Sequence, residues 1–533
     1  MQTGLRLKNL KFFKGLRNFE ENNAIPTDQV YECRNARFSD YTISSKRGWQ
    51  ELSDELTGGT KFMGLYEYPY FSSGTTTKRL IALYNNTFRQ YDPGTSTWTS
   101  IATVWPSVVD ADTQGIVYNN VLYFVNPMSA NVDGIGKLSN TTFSVVASSP
   151  RGIAIESWVE RLWVIGDYDA PNAVIASRAA TAAVPLNIED WTTGTILELL
   201  GKGGRCTAIR VLNNELFIWK EDGIWYNTPD RVAVGTTQFI ELSRTGGAVN
   251  QKSTIVVEND VWFLTPNLEV RSLGRERSLG DNPRTRELSS IIRRTMKILD
   301  TDQSNAVASY FNRIYKLSLR TIDSPSNNIT IIFDYDTGGW SVDRGQSIDL
   351  ATVWDNQLVY TEDSLVGQAY LDESGYSGNE AAFVFDFKTP FLDDNRPDTS
   401  KRARYLYIRG QQSFTQEITV RLFRDADFDT YSEYTIQSPS ARGVSQGAIT
   451  NDGQWGSRQW GDQPWGGDSE GSGEIPMYRI QNDSCGDWLI SIDRRCNMFA
   501  IGVNAQINGG KVIIEQMGLK LIDDNENYKR VNQ

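Results

Sequence analysis

Asp425-Ala426-Asp427-Phe428-Asp429 places a carboxylate at every second position, as a calcium loop opens. Such a loop goes on to need a glycine for its sharp turn and a bidentate glutamate at its end; Thr430 and Ile436 stand there instead. This piece and Asp393-Asp394-Asn395 therefore read as solvated turns, and no metal is expected. The chain contains no histidine, which removes the commonest general base, the Ser-His-Asp and Cys-His nucleophiles and nearly all catalytic zinc sites. It has no Gly-x-x-x-x-Gly-Lys-Ser/Thr phosphate loop and no Cys-x-x-Cys, so no cofactor is expected either. Glycoside hydrolysis by two carboxylates survives this filter, but spacing singles out no pair among 65 Asp and Glu residues. Of Cys33, Cys206, Cys485 and Cys496, which lie far apart or at non-motif spacing, only Cys485 and Cys496 are placed to meet, and in a reducing compartment that pair reads as free core thiols.

Two stretches point to partners rather than to reactions. Trp455-Gly456, Trp460-Gly461 and Trp465-Gly466 recur every five residues within the Gly-rich segment 443–473. Five is neither a helix nor a strand period, so the segment reads as a loop. Three indoles in such a loop call for burial against another chain or a target surface, which makes Trp455, Trp460 and Trp465 a candidate partner or gate contact. The second stretch is a predicted helix over residues 284–299, with Leu288, Ile291, Ile292 and Met296 on one face. Arg286, Arg293, Arg294 and Lys297 lie mainly on the other, as a solvated face or as a docking helix for a neighbouring subunit or DNA.

The elements that must carry these stretches repeat. Residues 78–101 read as three short strands joined by Asn85-Asn86 and by a turn over 92–96, a β-meander. An apolar residue, a polar pair and an alternating apolar run recur at Tyr118-Asn119-Asn120-Val121, Trp158-Val159-Glu160-Arg161, Leu212-Asn213-Asn214-Glu215, Val257-Glu258-Asn259-Asp260, Phe311-Asn312-Arg313-Ile314 and Trp354-Asp355-Asn356-Gln357. That makes seven copies, with spacings from 34 residues (Asn85 to Asn119) to 53 (Glu160 to Asn213). Meanders at a period of ~40 to 50 residues are the signature of a β-propeller. No blade can bury its two apolar faces alone, so blades pack radially until the ring closes. The expected fold is all-β, a β-propeller of about seven blades, with six or eight also compatible: residues 61–68 offer a closing strand, and the short first spacing has room for an incomplete blade.

The chain divides into an extended arm at 1–60, the propeller at 61–378 and a second domain at 379–533. Longer alternating runs, such as Phe383-Val384-Phe385-Asp386-Phe387 and Ile418-Thr419-Val420-Arg421-Leu422, give that domain the pattern of an antiparallel β-sandwich. The 15 Trp, 23 Tyr and 22 Phe belong mainly between blades, as core before platform. Each buried ring is worth about 4 to 6 kcal/mol as an upper bound. No run of ~18 apolar residues spans a bilayer, and the start lacks a targeting segment. Two Asp-to-Trp hairpins, Asp92 with Trp98 and Asp334 with Trp340, share a six-residue interval and read as structural devices. A net charge of −12 argues against wrapping nucleic acid, although acidic walls let DNA slide past.

Gly15-Leu16-Arg17-Asn18, Pro26-Thr27-Asp28, Asn35-Ala36 and Arg47-Gly48-Trp49 resemble the opening of bacteriophage short-tail nozzle proteins, also called tail hub or packaged-DNA stabilisation proteins. Residues 185–191 resemble a connector in that group, and so does Phe263-Leu264 leading to Ser278-Leu279-Gly280. The architecture of arm, propeller and strand-rich platform is similar over about 500 residues. The resemblance implies a virion tail protein assembled in the host cytoplasm: a ring, usually a homo-hexamer, below the portal and adaptor and near the tail fibres. Its channel carries genome DNA without reading sequence. The competing reading is a glycan-binding or sialidase-like propeller, since both Asp-to-Trp hairpins resemble Asp-box turns without the full Ser-x-Asp-x-Gly-x-Thr-Trp pattern. A kelch or WD scaffold is disfavoured by the missing Gly-His and Trp-Asp pairs.

Overall fold

The computed structural model describes residues 6–523 apart from 11–13, 20–24, 40–41, 53–55, 57–60, 104–111, 127–133, 202–203, 233–236, 245, 275–284, 363–368, 376–381, 393–399, 414–415, 439–476, 481–487 and 509. The chain is all-β. Among the described residues, seven four-stranded antiparallel sheets follow one another along the chain. Their first strands are Phe62–Ser72, Gln114–Tyr118, Ala154–Trp158, Cys206–Leu212, Ile255–Val257, Val307–Phe311 and Ile348–Trp354. Each packs against the first strand of the next sheet, and Ile348–Trp354 packs back against Phe62–Ser72, so the series is cyclic.

Tight turns set this repeat. Asn119-Asn120, Val159-Glu160, Asn213-Asn214, Asn312-Arg313 and Asp355-Asn356 all have positive φ at both residues, the backbone that a two-residue hairpin needs to match strand twist. Each joins the first strand of its sheet to the second. Asn85-Asn86 has the same backbone but joins the second strand, Thr75–Tyr84, to the third, Thr87–Asp92. The unit beginning at residue 78 is thus out of phase by one strand, and residues 61–68 open the first sheet rather than closing the last. The equivalent first turn is Ser73-Gly74, and its spacing to Asn119 is 119 − 73 = 46 residues, in line with the later copies.

Neighbouring sheets meet through apolar clusters in which aromatic rings dominate. Tyr68, Leu83 and Phe88 of the first sheet bury Leu122 and Phe124 of the second. Trp163 and Ile165 of the third meet Ile209 and Ile218 of the fourth, and Trp354 and Val359 of the seventh meet Tyr84 and Trp98 of the first. Strand alternation delivers these rings to the faces between sheets, where packing rather than ligand contact uses them. Trp98 stacks at an angle on Tyr91 at 5.4 Å, and Trp340 on Phe333 at 5.0 Å. Asp92 accepts from the Gly94 amide at 2.9 Å and Asp334 from the Asp336 amide at 2.9 Å. Both Asp-to-Trp hairpins are therefore turn devices.

The C-terminal part is two antiparallel sheets around one core. Phe383–Lys388, Phe499–Ile507, Ile418–Arg424 and Asp427–Ile436 make one with Glu32–Arg34. Lys401–Ser413 and Val512–Asp523 are the long strands of the other, flanked by Met477–Arg479, Trp488–Cys496, Arg6–Leu10, Ala36–Ser39 and Thr42–Ser45. The turn at Asp425-Ala426 is a tight hairpin with φ of 54° and 62°.

The N-terminal segment, which the sequence suggests is an arm, is shared out among these sheets. Four of its strands join the C-terminal pair, and Gly48–Glu51 pairs with Ala369–Gly375 as the outer strand of the seventh sheet. The segment works as a strap, and Leu16, Val30, Phe38 and Ile43 lie in one core with Trp262, Trp340, Phe385 and Leu519.

Candidate functional site

First strands expose one edge to the axis of the cycle, and charged residues interrupt their apolar runs there. A cavity of about 430 Å³ is lined by Tyr66, Glu67, Gln114, Arg210, Lys252 and Thr352, among residues of the first, second, fourth, fifth, sixth and seventh sheets. Lys252 donates to Asp112 and to the Asp349 carbonyl at 3.2 Å, and its ammonium lies 3.6 Å from the Asp349 carboxylate. Lys61 reaches the other oxygen of Asp112 at 3.3 Å. Burial opposes the Asp112 charge, but Lys252 and Lys61 outweigh it and hold the carboxyl below its ordinary value. Arg210 donates to the carbonyls of Thr254 at 2.8 Å and Gln251 at 3.2 Å and stands 3.9 Å from Glu156. Burial raises Glu156, against the pull of Arg210 and the Ser157 amide.

Each acid at this cavity has a cation beside it, including Glu67 with Lys78 at 3.7 Å. This arrangement is a polar lining whose ion pairs tie inner strands together. The sequence pattern alone does not bring these residues together. The signal was available as a charge in the middle of an apolar first strand, Ala208-Ile209-Arg210-Val211-Leu212 and Ala154-Ile155-Glu156-Ser157-Trp158.

Around the rim, side chains at the turns reach to adjacent sheets. Asn120 exchanges hydrogen bonds with the backbone of Phe71 at 2.6 and 2.9 Å. Tyr118 donates to Glu160 at 2.6 Å, Trp158 to the Asn214 carbonyl at 3.0 Å and Trp354 to the Lys78 carbonyl at 3.2 Å. These contacts cross the second-to-first, second-to-third, third-to-fourth and seventh-to-first boundaries.

The predicted docking helix is shorter than its pattern suggests. Arg286–Glu287 is the outer strand of the fifth sheet; Ser289–Ile292 is a 3₁₀ turn, and the α-helix spans Arg293–Met296. The Leu288 amide donates to the Val270 carbonyl at 2.8 Å, and the Val270 amide donates to the Ser289 hydroxyl at 3.0 Å. Sheet pairing therefore captures the first turn of the expected helix. Its apolar face is buried at Ile292 and Met296 as the spacing requires. The strap covers part of the rest: Arg294 lies over the Tyr31 ring at 5.0 Å, and Asn18 bonds Thr295 at 2.8 Å and the Ile291 carbonyl at 2.9 Å. Arg293 approaches Glu287 at 3.4 Å on the exposed side. Trp455, Trp460 and Trp465 lie outside the described residues, as does Cys485; Cys33, Cys206 and Cys496 are buried free thiols that burial pushes up to about 12.

A buried polar cluster sits where the strap meets the sixth and seventh sheets. Arg37 grips Asp343 with two hydrogen bonds of 2.8 and 2.7 Å. Lys46, 1% exposed, lies 3.9 Å from Asp343, 3.3 Å from the Gln346 side-chain oxygen and over the rings of Trp49 and Phe383. Asn35, with φ of 55°, accepts from the Arg344 amide at 2.9 Å and donates to the Val384 carbonyl at 2.7 Å. One side chain thus joins the sixth sheet to the C-terminal pair.

No family model matches the chain, and no curated protein matches it. Among solved structures, it is similar to the extracellular domain of the BT4673 two-component system protein from B. thetaiotaomicron, at 10% identity over 67% of this chain and 43% of that one, with a TM-score of 0.42. It is similar to Chaetomium thermophilum Raptor at 11% identity over 61% and 29%, TM-score 0.41. For the computationally designed Ika8 protein the values are 10% identity, 68% and 99%, TM-score 0.35. The chain spans less than half the length of the first two.

Proposed function

We propose that this chain is a non-enzymatic structural component of a bacteriophage tail. In this reading it is a seven-bladed β-propeller strapped to a two-sheet platform, and copies assemble as a nozzle ring, usually of six, below the portal and adaptor. The observation that carries the reading is the cyclic series of seven sheets, completed by Gly48–Glu51 from the strap. Such a cyclic body leaves only short outer strands as sheet edges, which suits a part that bears load from packaged DNA. The residues that resemble the nozzle group also do structural work here. Leu16 bonds Trp340, Asn35 joins two sheets, and Arg47-Gly48-Trp49 leads into the closing strand.

The axial cavity, about 430 Å³, has the size of a small-molecule site rather than of a duplex. DNA in this reading passes along the axis of the nozzle ring, between subunits, and the axis of each chain's own seven-sheet cycle stays closed. Acidic subunit walls repel the phosphates over a Debye length of roughly 8 to 10 Å and keep the duplex from sticking.

Native mass measurement tests the proposal. Six copies of 60.0 kDa give a species of about 360 kDa, and negative-stain images of it should show a ring. A monomer that cleaves a glycan would instead establish the sialidase-like reading. Replacing Trp455, Trp460 and Trp465 by Ala should spare folding and weaken assembly or DNA retention; unchanged infectivity would remove the loop from the scheme.

A further inference from the structure

We infer that copies of this chain meet head to tail through two exposed apolar faces, one on the outer strand of the third sheet and one at the junction of the fifth and sixth sheets; this names the contact within the proposed ring and rests on that reading. The first face is Leu197 and Leu199, 62% and 63% exposed, on the outer strand Ile196–Leu199. They point to one side of a strand whose outer edge pairs with no other strand among the described residues. The second face is Ile298 and Ile322, 37% and 71% exposed, joined by a hydrogen bond of 3.2 Å from the Ile322 amide to the Ile298 carbonyl. Ile298 follows the short helix Arg293–Met296, and Ile322 lies in the loop between the second and third strands of the sixth sheet.

The two faces carry opposite charge. Beside the second, Arg293 is offset by Glu287 at 3.4 Å, and Arg320 is taken by Asp300 at 3.2 Å and Asp302 at 3.1 Å. Arg286 and Lys297 pair with no acid among the described residues, and Arg294 lies over the Tyr31 ring. Subtracting Asp323, the neighbour of Ile322, from these three cations leaves 3 − 1 = 2 positive charges. Beside the first face, Asp190 is paired with Arg178 at 3.5 Å and Glu189 with Lys137 at 2.6 Å. Arg151 stands against two acids, Asp169 at 2.6 Å through its guanidinium and Asp167 at 2.9 Å through its backbone amide, which leaves one negative charge. Glu198, between the two leucines, pairs with no cation among the described residues and adds a second.

Placement favours the same pairing independently of charge. Both faces lie at the end of the cycle where second strands turn into third strands, opposite the two-residue turns: Leu199 pairs with Ala173, the first residue of the third strand of its sheet, and Ile322 occupies the corresponding turn of the sixth. From the third sheet to the boundary between fifth and sixth is two and a half steps of the cycle, about 130° at roughly 51° per sheet. A closed ring of six asks each subunit for two faces about 120° apart, and unlike faces join head to tail rather than about a two-fold axis. Contact between two copies of the same face would instead set like charges together, Lys297 against Lys297 or Glu198 against Glu198. The leucine and isoleucine pairs then form the apolar centre of the contact, with Glu198 and Lys297 at its rim.

Two variants of the full chain test this by native mass measurement, Leu197→Lys with Leu199→Lys on one face and Ile298→Lys with Ile322→Lys on the other. All four positions are exposed, so circular-dichroism melts should match wild type; should either pair fail to fold, Leu199→Lys or Ile322→Lys alone serves. Each variant should run as the 60.0 kDa monomer at concentrations where wild type forms the ring, with a dissociation midpoint at least tenfold higher. Their equimolar mixture should give pairs of twice 60.0 kDa and nothing larger, because each pair joins the one intact face of each partner. A ring that persists in either variant overturns this contact and leaves the ring reading in place, whereas a wild-type chain that stays monomeric removes both. Variants that are monomeric alone and give no pair when mixed also overturn it, since the two faces then do not meet each other.

Discussion

Gly15 lies flat against the backbone of Trp340: a Cβ on Gly15 would sit 2.5 Å from the Trp340 carbonyl oxygen and 2.8 Å from its nitrogen. The next residue, Leu16, donates its amide to that same carbonyl at 2.7 Å. Gly15 also has φ of +74°, so both space and backbone require glycine. Gly15→Ala should therefore lower stability by about 2 kcal/mol or more. Urea unfolding of the purified chain checks it, and an unchanged midpoint would mean that the strap does not dock here in solution.

Asp343 is held by Arg37 and Lys46 from the strap. Burial opposes its charge, and Arg37 and then Lys46 outweigh burial to keep the carboxyl below its ordinary value. Asp343→Asn removes a buried carboxylate that buried Lys46 and half-buried Arg37 both face, and should cost about 3 kcal/mol. Because the carboxyl is depressed in the folded chain, its contribution is complete above the ordinary aspartate value near 3.8 and fades as pH falls below it. Acid titration of wild type and variant should give stability curves that converge only in that acid range.

Glu362 behaves in the opposite sense. Burial raises its carboxyl to about 7, against the pull of Lys46 and the Ser347 amide. The folded chain then binds this proton more tightly than the unfolded chain, so stability falls as pH rises from about 4.5 to about 7. The fall is at most about 3.5 kcal/mol at ~1.4 kcal/mol per pH unit. Glu362→Gln should be more stable than wild type at pH 8 and should lose that slope, which denaturant melts at pH 5, 6, 7 and 8 would reveal.

Removing residues 1–52 takes away Gly48–Glu51 and leaves Ala369–Gly375 as an open edge. The shortened chain should aggregate, and the amides of Ala369, Tyr370 and Leu371 should exchange faster with deuterium. A synthetic peptide of residues 1–52 added in trans should restore part of the protection. Wild-type protection without the peptide would contradict the closing role of the strand.

How much of this was legible follows from which interactions are local. Asn213-Asn214 between Leu212 and Glu215 encodes its own turn, because the backbone it requires is written in two adjacent residues. Six of the seven sheets announced their opening turns in that way. The first did not, since Ser73-Gly74 lies in the polar run Ser72-Ser73-Gly74-Thr75-Thr76-Thr77. Arg286 carries a helical spacing in sequence, yet its partner in the sheet, Ser272, lies 14 residues away, and that pairing wins. The strap was legible as strands but not as a strap: nothing near Trp49 indicates pairing with residues more than 300 positions later. The axial charges were visible only as interruptions of apolar runs, and which ones meet depends on the cycle.

The pairing of Arg6–Leu10 with Val512–Asp523 has a consequence for how the chain is made. At ribosomal speeds of about 5 to 20 residues per second, the earliest strand waits on the order of half a minute or longer before its neighbour leaves the exit tunnel. During that interval its hydrogen-bonding groups are open to any passing β-strand, including those of sister chains on the same message. Yield in a host cell should accordingly depend on translation rate and on holding factors that shield the newborn N-terminal segment.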